Sequence, residues 1–462
     1  MAWVLAAGLG AVLVLAAVVQ PLSVLGLLIT VLFLAGYFFR RDLLLGAIFL
    51  ALLFQNLLYI RLLSFNEQMA NAVKHTDDLL LLFFVPALLL ETFIPTVRLH
   101  ERPWWKPFAV LVAICLLSAA ANRLGAKDTI VGVYVLFKNF TWYFLAASFP
   151  ISARGARVLV RYLLLVLGGV LAFGFVQLMT GELIYTLLGL PKDYRFGILR
   201  LRSIFVHPVF LAESMALLAV LTVSAYIYLR NPVFLVIAAG AAVAVALTML
   251  VKTVVALGLT LGLLLLRKRP WLVAPYAIGS IAAMVSFAEY GSDNFRRQIE
   301  TYITSPRSVR REAYRIAGEI LLDAPLLGVG PGQFGGFAAT FLQSQVRYEY
   351  GFINYDGQIY TTVDAHWPHL IAEIGLLGLF AYGTFLGLAA LTAWRLSLNP
   401  RASPYQRTVG MTAAVFLVVV MIEGVAAQNM EDTLCGFMAF SMLGFAQRQR
   451  VEEESVAQTG TP

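Results

Sequence analysis

The chain has 462 residues, of which 60% are hydrophobic and 13% are charged, and its mean hydropathy is +0.80. Soluble globular proteins carry about 25% charged residues, so this chain cannot cover a water-facing surface, and its exterior must contact lipid. The net charge of +8 does not indicate nucleic-acid binding, because the basic residues are scattered over short segments between apolar runs.

Apolar runs of about 15 to 25 residues recur along the whole chain, as expected of helices that cross a bilayer. They predict an all-α integral membrane protein with about fourteen transmembrane helices and one long extracytoplasmic loop. Two of the runs together span about 34 residues, or roughly 50 Å of helix, which is too long for one crossing, so we predict a break at Lys252. The predicted helices are 3–19, 22–39, 43–61, 79–96, 107–121, 129–151, 158–179, 208–229, 233–250, 253–266, 271–289, 368–394, 408–425 and 433–447.

The distribution of lysine and arginine predicts that both termini are cytoplasmic. In that orientation every inside turn carries at least one basic residue, whereas the outside turns at Pro21 and at 428–432 carry none. The predicted organisation comprises transmembrane helices 1–11 in residues 1–289 with a basic outer loop at 181–207, an extracytoplasmic loop at 290–365 with an amphipathic helix at 308–323, transmembrane helices 12–14 in residues 366–447, and a cytoplasmic tail at 448–462.

Two outside segments carry many basic residues and so oppose the usual charge rule. One interpretation is that several of these arginines bind an anion, and phosphate is the natural one because guanidinium groups pair with its oxygens in bidentate fashion. The other interpretation is that they are solvated charges, because long loops cross the membrane regardless of charge. The residues are Lys192, Arg195, Arg200 and Arg202 in the first segment and Arg296, Arg297, Arg307, Arg310, Arg311, Arg315 and Arg347 in the second.

The long loop contains a predicted amphipathic helix followed by a glycine-rich turn. Apolar residues recur at helical spacing over 308–323, and we expect this helix to lie at the membrane surface and to end at Pro325. Residues 326–334 read Leu-Leu-Gly-Val-Gly-Pro-Gly-Gln-Phe, which predicts a tight turn with a close backbone approach. The turn lacks the Lys-Ser/Thr pair of a nucleotide-binding P-loop.

Titratable side chains gather where the long loop re-enters the membrane. His366, His369 and Glu373 are spaced i, i+3 and i+7, so on a helix they share one face. Such groups are costly in a membrane unless they pair or function. They can provide a general base for an incoming hydroxyl, or they are interfacial histidines near lipid headgroups. Their spacing matches no metal-binding motif such as His-Glu-x-x-His, so no metal is predicted.

Two further residues are candidates for binding an anion. Lys252 lies at the predicted outer turn between two very apolar helices, where it either faces a phosphate or extends to the membrane interface. His207 precedes Pro208 at the start of a predicted helix, and the N-terminus of a helix favours anions.

Three stretches resemble the O-antigen ligase and O-antigen polymerase superfamily of bacterial surface-polysaccharide enzymes. Residues 202–212 are similar to the family's short segment before a helix, although Val209 stands where asparagine is common. Arg310 and residues 325–334 match the family's pattern of an arginine, an aromatic residue and then Pro-Leu-Leu-Gly-Val-Gly-Pro-Gly-x-Phe. Residues 373–379 match its Glu-x-Gly-x-x-Gly helix start.

One departure from the family pattern concerns the general base. In ligases a histidine precedes the first glycine of the third stretch by eleven residues, and counting back from Gly375 gives Asp364 instead. His366 lies two residues later. Either Asp364 takes the base role or His366 reaches the same place, and the departure favours a polymerase over a ligase.

The resemblance implies a membrane glycosyltransferase in the bacterial inner membrane with its active face on the periplasmic or extracellular side. The donor would be an undecaprenyl-diphosphate-linked glycan, and the acceptor a second lipid-linked repeat unit for a polymerase or lipid A-core for a ligase. It implies no nucleotide, metal or other cofactor, whereas other polysaccharide-assembly proteins are possible partners. The diphosphate would be held by Arg310, Arg202, Arg200, Arg311 and Lys252, with Asp364 or His366 as base and His207, His369 and Glu373 as further candidates.

A transporter or flippase of the same lipid-linked glycan is the alternative from a different class. Transporters of this size commonly show internal repeats and charges near the bilayer midplane. The sequence shows no clear repeat, and its charges concentrate on one predicted face, which favours the enzyme.

Overall fold

Helices make up most of the described structure. The computed structural model of the protein describes residues 41–63, 67–74, 78, 104–148, 151–190, 192–195, 198–268, 308–352, 363 and 365–459. The predicted helices 3–19, 22–39, 79–96 and 271–289 lie outside these residues, as does Asp364.

The described elements follow one another in a simple order. The helices before the hairpin are α1 Arg41–Leu63, α2 Glu67–Lys74, α3 Trp105–Ala121, α4 Ala126–Phe137, α5 Phe140–Ala147, α6 Ala153–Thr180 and α7 Glu182–Leu188. The antiparallel strands β1 Tyr194–Arg195 and β2 Ile198–Leu199 pair Tyr194 with Leu199. The later helices are α8 Pro208–Leu229, α9 Val233–Leu247, α10 Val251–Lys268, α11 Val309–Asp323, α12 Gly336–Phe341, α13 Val346–Glu349, α14 His366–Leu398, α15 Pro404–Glu423 and α16 Thr433–Thr459.

The described helices identify a membrane-embedded all-α protein. Five of them (α1, α6, α8, α14 and α15) are long and apolar enough to cross a membrane. Helices α4 and α5 pass the same test only together and are bent by 57°, as in a broken span or a re-entrant loop. The apolar parts of α3, α9, α10 and α16 are shorter, at 10–17 residues. Ten of the fourteen predicted apolar runs therefore fall on described helices, and the full number of crossings stays a prediction.

A break between the predicted helices 233–250 and 253–266 is present, but it lies at 248–250 rather than at Lys252 as predicted. Helix α9 ends at Leu247 and α10 begins at Val251. Between them Met249 has a φ of +56°, which a continuing right-handed helix does not allow. Lys252 therefore lies in the first turn of α10, where its side chain lines a cavity.

Helix α8 is the centre of the described core. It is apolar over most of its surface, and 83% of an apolar 18-residue window in it is buried, packed against α6, α9 and α15. A helix that is hydrophobic all round is stable only when other helices or lipid surround it. Its burial fixes the position of its N-terminal end, where His207 is the N-cap residue.

The amphipathic helix predicted over 308–323 is present as α11. Ser308 caps its N-terminus by accepting a hydrogen bond from the Arg311 N–H. Its apolar face packs against protein rather than against a lipid surface, because it joins a cluster with side chains of the following turn and of α14. That cluster consists of Ala313, Ile316, Ala317, Ile320, Phe334, Phe352, Val363 and Ala372.

The glycine-rich turn after α11 lies against a kink in α14. Gly375 has a φ of +60° and interrupts the helical backbone there. The backbone N–H groups that follow this kink donate hydrogen bonds to carbonyls at the start of the turn. The Leu376 and Leu377 N–H groups donate to the Pro325 and Leu326 carbonyls, at 2.9 and 3.2 Å. Backbone therefore contacts backbone directly, which is the close approach that the glycines predicted.

We expect Gly375→Ala to lower the free energy of unfolding by about 2–4 kcal/mol. A Cβ at this position would lie 2.5 Å from the Leu326 carbonyl carbon, and the positive φ disfavours any L side chain. Thermal melting in detergent micelles measures the effect. Gly383→Ala and Gly387→Ala in the same helix are the controls, because a Cβ meets nothing within 4 Å there. Equal destabilisation in all three variants would contradict the account.

Candidate functional site

A cavity of about 1050 Å³ opens where α8, α10, α11 and the turn between α15 and α16 meet. Its charged lining is mainly basic, with Glu213 and Asp432 as the two carboxyl groups. The cationic side chains in the lining are Arg195, Arg200, Lys252, Arg310 and Arg311. These residues come from three separated segments of the chain, so only the folded protein forms this concentration of positive charge.

Five of the predicted site residues line this cavity: Arg200, His207, Lys252, Arg310 and Arg311. Two residues that the sequence-based assignment missed also line it. Arg195 belongs to the same basic segment as Arg200, so its charge was noted but its place in the site was not predicted. Tyr314 lies one helical turn after Arg310, and its hydroxyl donates a 2.9 Å hydrogen bond to the Val425 carbonyl.

Arg200 and Arg202 are both paired with Asp193, which changes the predicted role of Arg202. The Asp193 Oδ2 atom lies 2.9 Å from Arg200 Nη1 and 2.8 Å from Arg202 Nη2. Arg202 also donates to the Val206 carbonyl and does not line the cavity. Arg200 does line the cavity and donates through Nε to the Thr248 carbonyl at 2.9 Å. Arg202 therefore holds the loop, whereas Arg200 faces the site.

The Asp193 carboxylate makes the stability of this loop depend on pH. Partial burial alone would raise the pKa of Asp193, but the hydrogen bond from Arg202 and the charge of Arg200 lower it below its usual value. A carboxyl group with a lowered folded-state pKa stabilises the fold above its unfolded-state pKa, and this contribution is lost as the pH falls through the folded-state pKa.

We expect the melting temperatures of the wild type and Asp193→Asn to converge as the pH falls below about 4, the usual pKa of an aspartate. At pH 7 the wild type should melt higher, because only the carboxylate pairs with both arginines. Melting curves from pH 7 to pH 3 test this, with Asp128→Asn in the first turn of α4 as control. A constant difference at all pH values would contradict the assignment.

His207 lies at the N-terminus of α8 and close to positively charged side chains. Its Nδ1 atom accepts a 3.3 Å hydrogen bond from the Val209 N–H and so caps α8. Burial, and then the positive charges of Arg200 and Arg202, lower the pKa of His207 below its usual value. The imidazole is therefore neutral at pH 7, and the positive charge of the cavity comes from its arginines and its lysine.

His366, His369 and Glu373 share one face of the first two turns of α14, as their spacing predicted. All three are at most 2% exposed, so they are not interfacial histidines beside lipid headgroups. The Glu373 carboxylate accepts hydrogen bonds from the N–H groups of Gly332, Phe334 and Gly335, at 2.6, 3.0 and 2.8 Å. Glu373 thus fastens the glycine-rich turn to α14 and does not line the cavity.

The histidines of α14 contact a residue that the sequence did not single out, Glu431 in the turn between α15 and α16. His369 Nε2 contacts Glu431 Oε1, and His366 Nδ1 lies 4.0 Å from the same oxygen. The other ring nitrogen of His366 lies 3.2 Å from the Tyr382 hydroxyl. Both ring nitrogens of His366 therefore face buried groups, and neither histidine lines the cavity.

Comparison with known proteins adds no further assignment. No protein-family model matches the chain, and a search among curated proteins finds no match.

Proposed function

We propose that the protein is a membrane glycosyltransferase of the bacterial inner membrane that polymerises undecaprenyl-diphosphate-linked oligosaccharide units into a surface polysaccharide. The observation that carries the proposal is the cavity, which gathers four arginines and a lysine from separate segments beside apolar helices. A diphosphate joined to a long apolar chain and a sugar is the ligand whose chemistry fits both features. The resemblance of residues 202–212, 325–334 and 373–379 supports the same class of enzyme.

The cationic lining suits the charge of a lipid diphosphate. Guanidinium groups bind phosphate oxygens in bidentate pairs. The combined positive charge of the five cationic side chains exceeds the negative charge of one diphosphate. Arg200 Nη2 is buried and has no hydrogen-bond partner among the described residues, which leaves one donor for a ligand. With the diphosphate neutralised by side chains, its binding requires neither a nucleotide nor an added divalent cation.

Seven apolar side chains also line the cavity and support a prenyl-chain site next to the diphosphate. They come from α8, from the start of α10 and the residue before it, and from the C-terminal end of α15 and the turn after it. They are Val209, Phe210, Leu250, Val251, Val255, Ile422 and Val425. An amphiphilic substrate would thus enter from the membrane with its prenyl chain along the helices and its diphosphate against the arginines.

The proposed reaction transfers the glycan in one displacement. The acceptor hydroxyl attacks the anomeric carbon of the donor, the bond from that carbon to the diphosphate oxygen breaks, and undecaprenyl diphosphate leaves. Arg310, Arg311 and Lys252 stabilise the charge that develops on the leaving group. A base accepts the hydroxyl proton, and we assign this role to Asp364, which lies outside the described residues, because both ring nitrogens of His366 face buried groups.

The test uses the purified protein with a lipid-diphosphate-linked oligosaccharide as the sole substrate, without nucleotide, and with or without a chelator. A ladder of longer lipid-linked products is expected, and it should be lost in Asp364→Asn. Transfer only to an added lipid A-core acceptor would replace the polymerase with a ligase. Transbilayer movement of the substrate in liposomes without any new product would overturn the enzyme proposal in favour of a transporter.

A further inference from the structure

Three side chains with metal-binding atoms meet at the N-terminal end of α14, outside the cavity. His366 and His369 come from α14, and Glu431 comes from the turn between α15 and α16. Their ligand atoms all lie within 4.8 Å of one another. Sequence spacing could not reveal this set, because Glu431 lies far along the chain from the two histidines.

Each histidine turns one ring nitrogen towards Glu431 and the other towards a supporting group. His369 Nε2 contacts Glu431, while its Nδ1 lies 3.2 Å from Glu373 Oε1. His366 Nδ1 faces Glu431, while its Nε2 lies 3.2 Å from the Tyr382 hydroxyl. Histidines that bind metals almost always donate from the second nitrogen to a carboxylate, a backbone carbonyl or a water, and the contact of His369 with Glu373 is of this kind.

Four buried atoms of the cluster lack a hydrogen bond among the described residues: His366 Nδ1, both ring nitrogens of His369 and Glu431 Oε1. Buried polar atoms are normally paired, and His366 Nδ1 points at a carboxylate 4.0 Å away, which is too far for direct hydrogen bonding. An ion bound to both groups would satisfy the nitrogen and the carboxylate together.

The backbone holds the three groups in place. The Asn139 side chain donates to the Met430 and Asp432 carbonyls, at 2.8 and 3.2 Å, and so fixes the backbone on both sides of Glu431. The His366 N–H donates to the Gly424 carbonyl at 2.9 Å. A cluster whose ligands are anchored on separate elements in this way is preorganised for an ion.

The glycine-rich turn closes the cluster from the other side. A Cβ at Gly335 would lie 2.1 Å from His369 Cβ, and a Cβ at Gly336 would lie 2.5 Å from Glu431 Oε2. These two glycines therefore allow the turn to lie directly on the ligands and to exclude bulk water from them.

We propose that His366, His369 and Glu431 bind one divalent transition-metal ion of the zinc type. Imidazole nitrogens with one carboxylate oxygen suit Zn²⁺, whereas Mg²⁺ prefers oxygen ligands and retains waters. Three protein ligands leave a coordination position for water or for a substrate oxygen. This inference differs from the absence of a metal that the sequence predicted, and it does not depend on the proposed glycosyltransferase activity.

The test measures metal content in protein purified through a tag without histidine, stripped with a chelator and then dialysed against Zn²⁺, Co²⁺ or Mg²⁺. We expect about one Zn²⁺ or Co²⁺ per chain, and no retained Mg²⁺. Bound Co²⁺ should give the visible absorption bands of a nitrogen-ligated ion. Wild-type protein that is monodisperse but retains neither Zn²⁺ nor Co²⁺ would overturn the proposal.

Variants locate the ion. His369→Ala and Glu431→Gln should lose the metal, and the milder His366→Gln covers the case in which either fails to fold. His207→Ala and Glu319→Gln, which remove a histidine and a carboxylate outside the cluster, should retain it. Stoichiometric metal in folded His369→Ala or Glu431→Gln would place the ion elsewhere and contradict the assignment.

Discussion

Arg310→Ala is expected to slow glycan transfer by about 100-fold or more, because removing one preorganised donor to a developing charge typically costs that much. Arg310 lines the cavity from α11, the helix that the glycine-rich turn and α14 hold in place. The effect should appear mainly in kcat, since the charge on the diphosphate leaving group grows as the glycosidic bond breaks. Initial rates of ladder formation over a range of donor concentrations measure kcat and KM separately.

Two variants control for the loss of positive charge and for the integrity of α11. Arg315→Ala removes an arginine from the exposed face of the same helix, where it pairs with Glu312 and Glu319, and it should retain nearly full activity. Arg310→Lys keeps the positive charge but loses the planar guanidinium group, which can bind two phosphate oxygens at once. Its rate should therefore fall between those of the wild type and Arg310→Ala. Full activity in Arg310→Ala at normal protein levels would refute the diphosphate role.

Periodicity predicted the helical elements because apolar side chains must face lipid or core wherever they occur. The amphipathic pattern over 308–323 gave α11 to within one residue at its N-terminus. The break before α10 followed from length alone, since the combined run exceeds the thickness of a bilayer. These local rules act within one segment and so can be read from sequence.

The partners of charged residues could not be predicted in the same way, because they depend on which segments meet in space. Arg202 was assigned to the diphosphate from its charge and its motif, but Asp193 in the same loop neutralises it. Glu431 carried no recognisable spacing and yet contacts His369 of α14. Charge along the chain therefore indicated segments that contribute to the basic cavity, whereas the individual partners depend on the fold.

The Glu-x-Gly start of the third motif, at residues 373–375, also has a structural role that the sequence pattern did not predict. Glu373 and Gly375 act on the same neighbour, the turn at 325–336. The carboxylate accepts three of its N–H groups, and the glycine lets its backbone approach the kink of α14. The second and third motifs therefore contact each other directly in the folded protein.

Glu373→Ala is expected to lower the free energy of unfolding by about 3–5 kcal/mol, the usual effect of removing one partner of a buried charged network. The N–H groups of Gly332, Phe334 and Gly335 would lose their acceptor in a buried place, and His369 would lose a neighbouring carboxylate. Because the turn supports α11, the cavity side chains on that helix should also lose their positions. Thermal melting and hydrogen exchange of the turn amides measure both effects.

Glu373→Gln keeps the size of the side chain but replaces one of its two acceptor oxygens with an amide nitrogen. The amide oxygen can still accept from Phe334 and Gly335, which share Oε1, but the amide nitrogen would face the Gly332 N–H that donates to Oε2. Its destabilisation should therefore be intermediate, at about 1–3 kcal/mol for one unsatisfied buried donor. Glu319→Ala on the exposed face of α11 is the control and should change the melting temperature little. If Glu373→Ala and Glu319→Ala melted alike, the turn would be held by its backbone contacts to α14 alone.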